Sequence, residues 1–395
     1  MMTIQPEMSM IFPVLRKEWS RRASAPPLTG TVSAYAPRNL LTVDDSRVST
    51  ARSGSQSRGL CAAPSTDYHG GSRLVCVVRS AQIEKSVQPT VVRPMQPTDR
   101  SEVAELIRAS TNAWYRSRGD GPIFAEGPEI TTVFFDLYAA LDPGYGVVAE
   151  DHISGRIAGS CFYHPRATHV SLGIMNVHPD YFGRGVARSL LQHIVDFADA
   201  EEKPLRLVSS AMNLDSFSLY SRAGFVPRAV YQDMIVCVPE SGIDSAPASG
   251  IPLRDGRPGD AHAMALLEMD LAGIMRERDF AHILENHAGF WHVTVCPNGN
   301  GRLDGFMASS AHPGCNMIGP GVARNEAVAA ALILAELDRH RGRSPVMLVP
   351  VGCRGLVERL YRWGARNCEL HFAQARGHWH EPEGIVMPTF LPESA

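Results

Sequence analysis

The stretch GIMNVHPDYFGRGVARSLLQHIVDFADAEEKPLRLVSSAMNLDSFSLYSRAGF, residues 173–225, decides the fold of this 395-residue chain. An apolar, β-prone run ending at Val177 meets Pro179, and the turn Gly183-Arg184-Gly185-Val186-Ala187 then opens a helix. Ala187, Leu190, Leu191, Ile194 and Phe197 recur along it at helical spacing. The glycines permit backbone conformations that other residues resist and keep side chains out of the way. The helix start adds unpaired N–H groups and the positive end of a macrodipole, so turn and helix together make a cradle for a diphosphate. No Lys-Ser/Thr follows the second glycine, as a Walker loop requires, and the third glycine of a dinucleotide-binding unit is missing. Alone, the turn fits a tight strand-to-helix connection equally well. What separates the two readings lies one strand downstream: Asn213, Ser216, Leu219-Tyr220 and Gly224-Phe225.

With those residues in place the stretch resembles the GNAT superfamily of acyl-CoA-dependent N-acyltransferases. The family reads Arg/Gln-x-x-Gly-x-Gly/Ala at the diphosphate turn; here it is Phe182-Gly183-Arg184-Gly185-Val186-Ala187, with Phe182 replacing a polar side chain. The resemblance covers residues 91–238 in full and 251–391 more weakly. It implies acetyl-CoA as co-substrate, no metal, and an amine of a small molecule or peptide as acceptor. The cofactor-binding positions it carries over are Asn176, Val177, Gly183, Arg184, Gly185, Val186, Ala187, Asn213 and Ser216. In the family the strand before the turn splays from its neighbour, pantetheine pairs with it as an added strand, and a backbone N–H polarises the thioester carbonyl; Val177 or Asn176 matches that position.

Tyr220 matches the tyrosine that protonates the departing thiolate. Acyl transfer to an amine needs a neutral amine, a polarised carbonyl and a proton for the thiolate. A phenol, which ordinarily titrates near pH ~10, is a suitable donor. Tyr220 also fits plain packing, and Asn213 fits a helix N-cap. Arg184 and Arg188 fit either charge near the phosphates or a solvated surface.

Periodicity around the turn predicts the remaining elements. Strands are expected at Thr90–Arg93, Gly146–Ala149, Arg156–Phe162, His169–Val177, Leu205–Ser210 and Arg228–Val238, with a hairpin turn near Ser154-Gly155. Helices are expected after Pro97-Thr98-Asp99, near Thr131–Ala140, from Val186, and over Asn213–Ala223. That is the GNAT order, of which a typical member has one more strand at its end. The expected fold class is α/β (α+β): two tandem GNAT-like domains, each a mixed, mainly antiparallel sheet flanked by helices.

The repeat rests on two echoes. Arg93-x-x-x-Pro97-x-Asp99 returns as Arg254-x-x-x-Pro258-x-Asp260 at an offset of 161; Pro179 and Leu219-Tyr220 return as Pro320 and Leu360-Tyr361 at 141. At 141, Gly183, Gly185 and Asn213 map to Arg324, Glu326 and Arg354, so a carboxylate would face the diphosphate and repel it. The second copy therefore reads as degenerate, closing the acceptor pocket or completing the fold. Tyr361 reads as a packing residue. Arg324 and Arg354 leave open the binding of another anion. The expected boundaries are 1–88 for a disordered leader or spurious extension, 89–238 for the catalytic domain, 239–250 (PESGIDSAPASG) for a linker and 251–395 for the second domain.

Composition is that of an ordinary globular enzyme, with 20% charged and 44% hydrophobic residues. A net charge of −3 makes no electrostatic case for nucleic acid or membrane. No apolar run approaches the roughly 20 residues of a membrane-spanning helix; the longest, Ala327 to Ala335, reads as a buried helix. Eight scattered cysteines without a C-x-x-C pair fit buried thiols, as at Ile235-Val236-Cys237-Val238, and a reducing cytoplasm. A monomer or a homodimer is expected. His378 and His380 lack the third convergent ligand a metal needs.

The general base is not legible. His164, His169, His178, Glu126, Asp136 and Ser209 all qualify by type. The acceptor itself is not legible: the resemblance places it against the loop of residues 115–130 and the later strands, where no acidic cluster stands out, although Asp120, Glu126 and Glu129 suit a cationic amine. A binding module stands beside the enzyme as the alternative: a catalytically weak sensor or scaffold for acyl-CoA.

Overall fold

The same ion pair starts each half of the chain. Arg93 Nη1 lies 2.7 Å from Asp99 Oδ2, and Arg254 Nη1 lies 2.7 Å from Asp260 Oδ2. Each aspartate also accepts a backbone N–H from three residues upstream, at Gln96 and Arg257, and so closes the entry to a helix. The echo at an offset of 161 is thus a repeated piece of structure. It is seen in a computed structural model that describes residues 90–245 and 250–390; the expected leader lies outside the described residues.

The first half runs β1 (Thr90–Pro94), α1 (Arg100–Ser117), α2 (Thr132–Leu141), β2 (Gly146–Asp151), β3 (Ile157–Pro165), β4 (Val170–Val177), α3 (Val186–Ala200), β5 (Leu205–Ser210), α4 (Leu214–Arg222) and β6 (Val226–Ile235). The second runs β7 (Arg254–Asp255), α5 (Ala261–Ala272), α6 (Glu277–Glu285), β8 (Trp291–Gly299), β9 (Arg302–His312), β10 (Cys315–Ala323), α7 (Glu326–Arg339), β11 (Val346–Pro350), α8 (Arg354–Arg362) and β12 (Arg366–Arg376), with β13 (Ile385–Met387) added. The expected elements of the first half all form.

Among the described residues the two halves share one sheet, in the order β1-β2-β3-β4-β5-β12-β6-β11-β10-β9-β8-β7, with β13 on β10. The strand that the first half lacks at its end is supplied by the second: β12 inserts between β5 and β6, antiparallel to both. In return β6 lies between β12 and β11, again antiparallel. Each half completes the other. Backbone bonds from Val236 and Val238 to Pro345 and Arg343 carry the pairing past β6 to the end of the expected first domain.

Side chains alternate across this sheet. On one face α1 and α2 share a continuous core with α5 and α6, from Leu106, Phe134 and Tyr138 to Met264, Phe280 and Phe306. On the other face α3 and α4 cover Val147, Ala149 and Leu172, while α7 and α8 cover Met307 and Ile318. Buried ion pairs also cross between halves: Arg166 bonds Asp142 at 2.7 Å and, from the second half, Asp279 at 2.9 Å.

Three readings need correction. Helices α4 and α8, and Gly224 and Gly364 after them, stand 140 residues apart, not 141. Tyr220 therefore corresponds to Leu360 and Asn213 to Cys353, while Tyr361 is 47% exposed, its hydroxyl donating to Gln232. Pro320 lies within β10, whereas Pro179 follows β4, so that echo is coincidental. Cys237 is exposed, because alternation that buries Val236 and Val238 turns it outward.

The exchange sets an expected outcome. Residues 89–245 and 250–395, expressed separately, should lack cooperative thermal unfolding, since each alone leaves β5 or β11 and both flanks of its own last strand unpaired. Co-expressed, they should co-purify one to one. A cooperative melt by either piece alone would refute the interdependence.

Candidate active site

The parallel contact of β4 with β5 holds only at Val170↔Leu205 and Ser171↔Arg206. Beyond it the strands part, as the resemblance implied. The gap opens into a cavity of about 630 Å³ lined by Met175, Asn176 and Val177 of β4 and Ser210 of β5. Asn176 Oδ1 is buried without a protein partner, which leaves an acceptor for a ligand.

The turn closes one end of the same cavity. Gly183 and Gly185 adopt φ of 74° and 86°, a region that side-chain-bearing residues rarely enter. Gly185 is the N-cap of α3, no side chain caps that helix, and the space beside its Cα is open. Gly183, Gly185, Val186, Ala187 and Arg188 all line the cavity. This is where first-turn N–H groups can take an anion, so the chain's own residues fit the diphosphate of a coenzyme A thioester. Arg184 does not line it, and its guanidinium stacks 5.1 Å from the Tyr181 ring.

Asn213 is a helix cap that also faces the cavity. Its Oδ1 accepts the Ser216 N–H at 3.1 Å, capping α4, and both residues line the cavity. Tyr220 lies apart: 7% exposed, in the core beneath α3 with its ring 5.7 Å from Phe225, and not on the lining.

Of the far wall only Tyr115 was expected from the sequence. Ser110, Thr111, Trp114 and Tyr115 of α1 line it, joined by Glu369 and His371 of β12. A register shift between Asn367 and Glu369 bulges β12 and sets Glu369 directly opposite Asp233 of β6. Tyr115 donates to Glu369 Oε1 at 3.4 Å. Burial, then the charge of Glu369, pushes the Asp233 carboxyl up to about 7. Burial also raises Glu369 above the usual carboxylate range and pulls His371 down to about 4. None of the base candidates named from sequence lines this cavity.

The matching region of the second half is closed. Two residues, 324 and 325, join β10 to α7, where eight, 178–185, join β4 to α3. Asn325 caps α7, accepting from Ala327 and Val328 N–H at 3.1 and 3.0 Å. Glu326 Oε2 accepts the Leu356 N–H at 2.6 Å, at the start of α8. Strand β13 pairs with β10 along Gly321–Ala323, the edge that corresponds to the open one of β4. Arg324 and Arg354 are spent on Asp270 and Glu358, each at 2.8 Å.

Comparison with known proteins agrees with this geometry. Residues 142–227, from just before β2 to the start of β6, match the acetyltransferase (GNAT) domain model. UPF0157 protein YqkA of Bacillus subtilis is 33% identical over 72 residues, 18% of this chain; the chain spans about a fifth (21%) of that relative's length. A putative acetyltransferase from Pyrococcus horikoshii superposes with a TM-score of 0.59 at 14% identity, covering 77% of this chain and 96% of that one. A tandem GNAT protein from the clavulanic acid biosynthesis pathway superposes at 0.50 and 15% identity, covering 73% and 98%. At such identities the structural likeness speaks for architecture, and with the domain match it places the fold of this chain in the GNAT superfamily, in its tandem form.

Proposed function

We propose that the first half transfers an acetyl group from acetyl-CoA to a primary amine of a small molecule or peptide, by direct attack within a ternary complex. One observation carries the reading. A single cavity joins the open edge of β4, the uncapped start of α3 and a wall of polar side chains from α1 and β12. The thioester supplies the activated acyl group. Backbone N–H groups from Gly185 onward hold the diphosphate, the edge at Asn176 and Val177 orients the pantetheine arm and polarises the carbonyl, and Asn213 and Ser216 bound the same space. The second half, with its turn lost and its strand edge covered, takes no coenzyme. Scattered free cysteines favour the cytoplasm, and among the described residues no helix is long and apolar enough to cross a membrane.

Tyr220 is assigned the return of a proton to the thiolate, on the resemblance. Its burial favours the second reading, a weakly active module that senses or scaffolds acyl-CoA.

Substitution separates these readings. Gly185→Glu adds a side chain at φ 86° and a negative charge beside the diphosphate, and calorimetry should find acetyl-CoA binding lost. Unchanged affinity in a folded variant removes the cradle from the proposal. Tyr220→Phe keeps the ring and should lower kcat by roughly 10²–10⁴ at nearly constant KM for acetyl-CoA. Tyr361→Phe, exposed in the second half, should leave kcat alone. Equal turnover in wild type and Tyr220→Phe would dismiss the phenol as the acid.

A further inference from the structure

The second half is closed to coenzyme, yet its last strand reaches the cavity of the first. Glu369 and Asp233 sit directly opposite each other on the antiparallel pair β12–β6, one from each half. Opposed like charges destabilise a strand pair, so a structural strand has no use for them. Both side chains are about nine-tenths buried, at 10% exposure each. His371, at 8%, stands 3.9 Å from Asp233 Oδ2 and 3.8 Å from Glu369 Oε2, too far for a hydrogen bond to either. Asp233 Oδ1 and His371 Nδ1 have no protein partner. A cavity wall that carries Glu369 and His371, with the Asp233 carboxylate directly opposite Glu369 in the strand pair and polar atoms left without partners, is arranged for a ligand that brings positive charge and hydrogen-bond donors. A protonated amine has both.

We propose that β12 of the second half completes the acceptor site of the first: Glu369 and Asp233 bind the ammonium group of a cationic amine, and Glu369 is the general base. The inference rests on the acetyl-transfer reading above. The carboxylate of Glu369 takes one proton from R–NH₃⁺, giving the neutral amine, and passes it to solvent. The nitrogen lone pair then attacks the thioester carbonyl carbon, forming the C–N bond. The nitrogen loses its second proton as the C–S bond breaks, and the thiolate gains one. The products are the amide, the thiol and one proton released.

Glu369 is suited to this by position. Tyr115, Arg118 and Asp120 face it from α1 and the segment after it, Ser210 from β5, Asp233 from β6, and Cys368 and His371 from β12. Burial leaves its carboxyl a stronger proton acceptor than a solvated one. The Trp114 and Tyr115 rings, 4.7 Å apart, stand on the adjacent wall and suit the apolar stem of an amine. A carboxylate next to the amine, as in an α-amino acid, would be repelled by the same pair.

The test uses the full chain, acetyl-CoA and a fixed set of acceptors: 1,4-diaminobutane, spermidine, kanamycin, glycine and glutamate. Thiol release is expected with at least one of the three cationic acceptors and with neither amino acid. Glu369→Gln should bind acetyl-CoA normally, lose about 10²–10⁴ in kcat, and show residual activity that rises with pH as more amine becomes neutral. Asp233→Asn should act mainly by raising KM for the amine. Neither substitution should lower the melting temperature, because each removes one of two opposed charges; a merely structural pair would show the reverse. Normal acetyl-CoA binding with no release from any cationic acceptor, with preference for an amino acid, or with full activity of Glu369→Gln overturns the proposal. Failure of the wild-type chain to bind acetyl-CoA overturns instead the reading on which it rests.

Discussion

The antiparallel pairing of β6 with β12 is the constraint on which the remaining architecture depends. Each of these strands is the last long one of its own half, and each is inserted beside the other half's fifth strand. Nine register pairs, from Arg366↔Ile235 to Ala375↔Val226, hold them together. A β-strand without both neighbours leaves a row of N–H and C=O groups unsatisfied. Neither half can therefore satisfy its own backbone, and the chain folds as one sheet with two shoulders. The shared core of α1, α2, α5 and α6 and the buried Arg166–Asp279 pair follow from that arrangement, since the exchange places both helix layers over one continuous face.

Two copies of one architecture then diverge at a single place. Both have a fourth and a fifth strand that meet only briefly and part, at Val170↔Leu205 and Ser171↔Arg206 in one half and at Met317↔Val346 in the other. Splaying leaves unpaired backbone in each. The first half keeps a long glycine turn and an uncapped helix, so its gap stays available to a ligand. In the second, β13, Asn325 and Glu326 satisfy the backbone groups that a coenzyme would otherwise take. An anion site filled by the chain's own side chains carries no requirement for glycine. That is the physical sense in which Arg324 and Asn325 stand where the first half keeps its turn.

Much of the fold was legible because its signals are local. Gly183 and Gly185, the Leu190–Ile194 stripe and the Arg-x-x-x-Pro-x-Asp entry each report on their own few residues. Asn213 as cap and lining residue follows from its position before α4. The register of the repeat missed by one residue, because it was anchored on a shared tyrosine; burial is conserved in space at Tyr220 and Leu360 instead. Glu369 and His371 were out of reach for a different reason. They enter the cavity through a strand exchange and a bulge, two features set by pairing between residues more than a hundred positions apart, and no local pattern encodes them. Tyr115, at the start of the loop expected to meet the acceptor, lines the cavity from the end of α1.

Under the proposed function the second half has a reason to persist without a coenzyme site of its own. An inserted strand cannot be deleted without unpairing β5 and β6, so stability alone retains β12. Stability does not explain the facing carboxyls, Glu369 on β12 and Asp233 on β6. Raising a buried carboxyl from 3.8 to about 7, as at Asp233, means that keeping it ionised costs the folded state about 4 kcal/mol. The sign is fixed by linkage: the folded state holds the proton more tightly than the unfolded chain, so the carboxyl destabilises progressively as pH rises from about 4 to about 7. An apolar residue facing Glu369 would avoid that penalty. Perturbed carboxyls beside a cavity are groups suited to binding and proton transfer, and the proposed acceptor site uses Glu369, which lines the cavity, in that way. The exchange of strands supplies the rigid frame on which the proposed acceptor site rests.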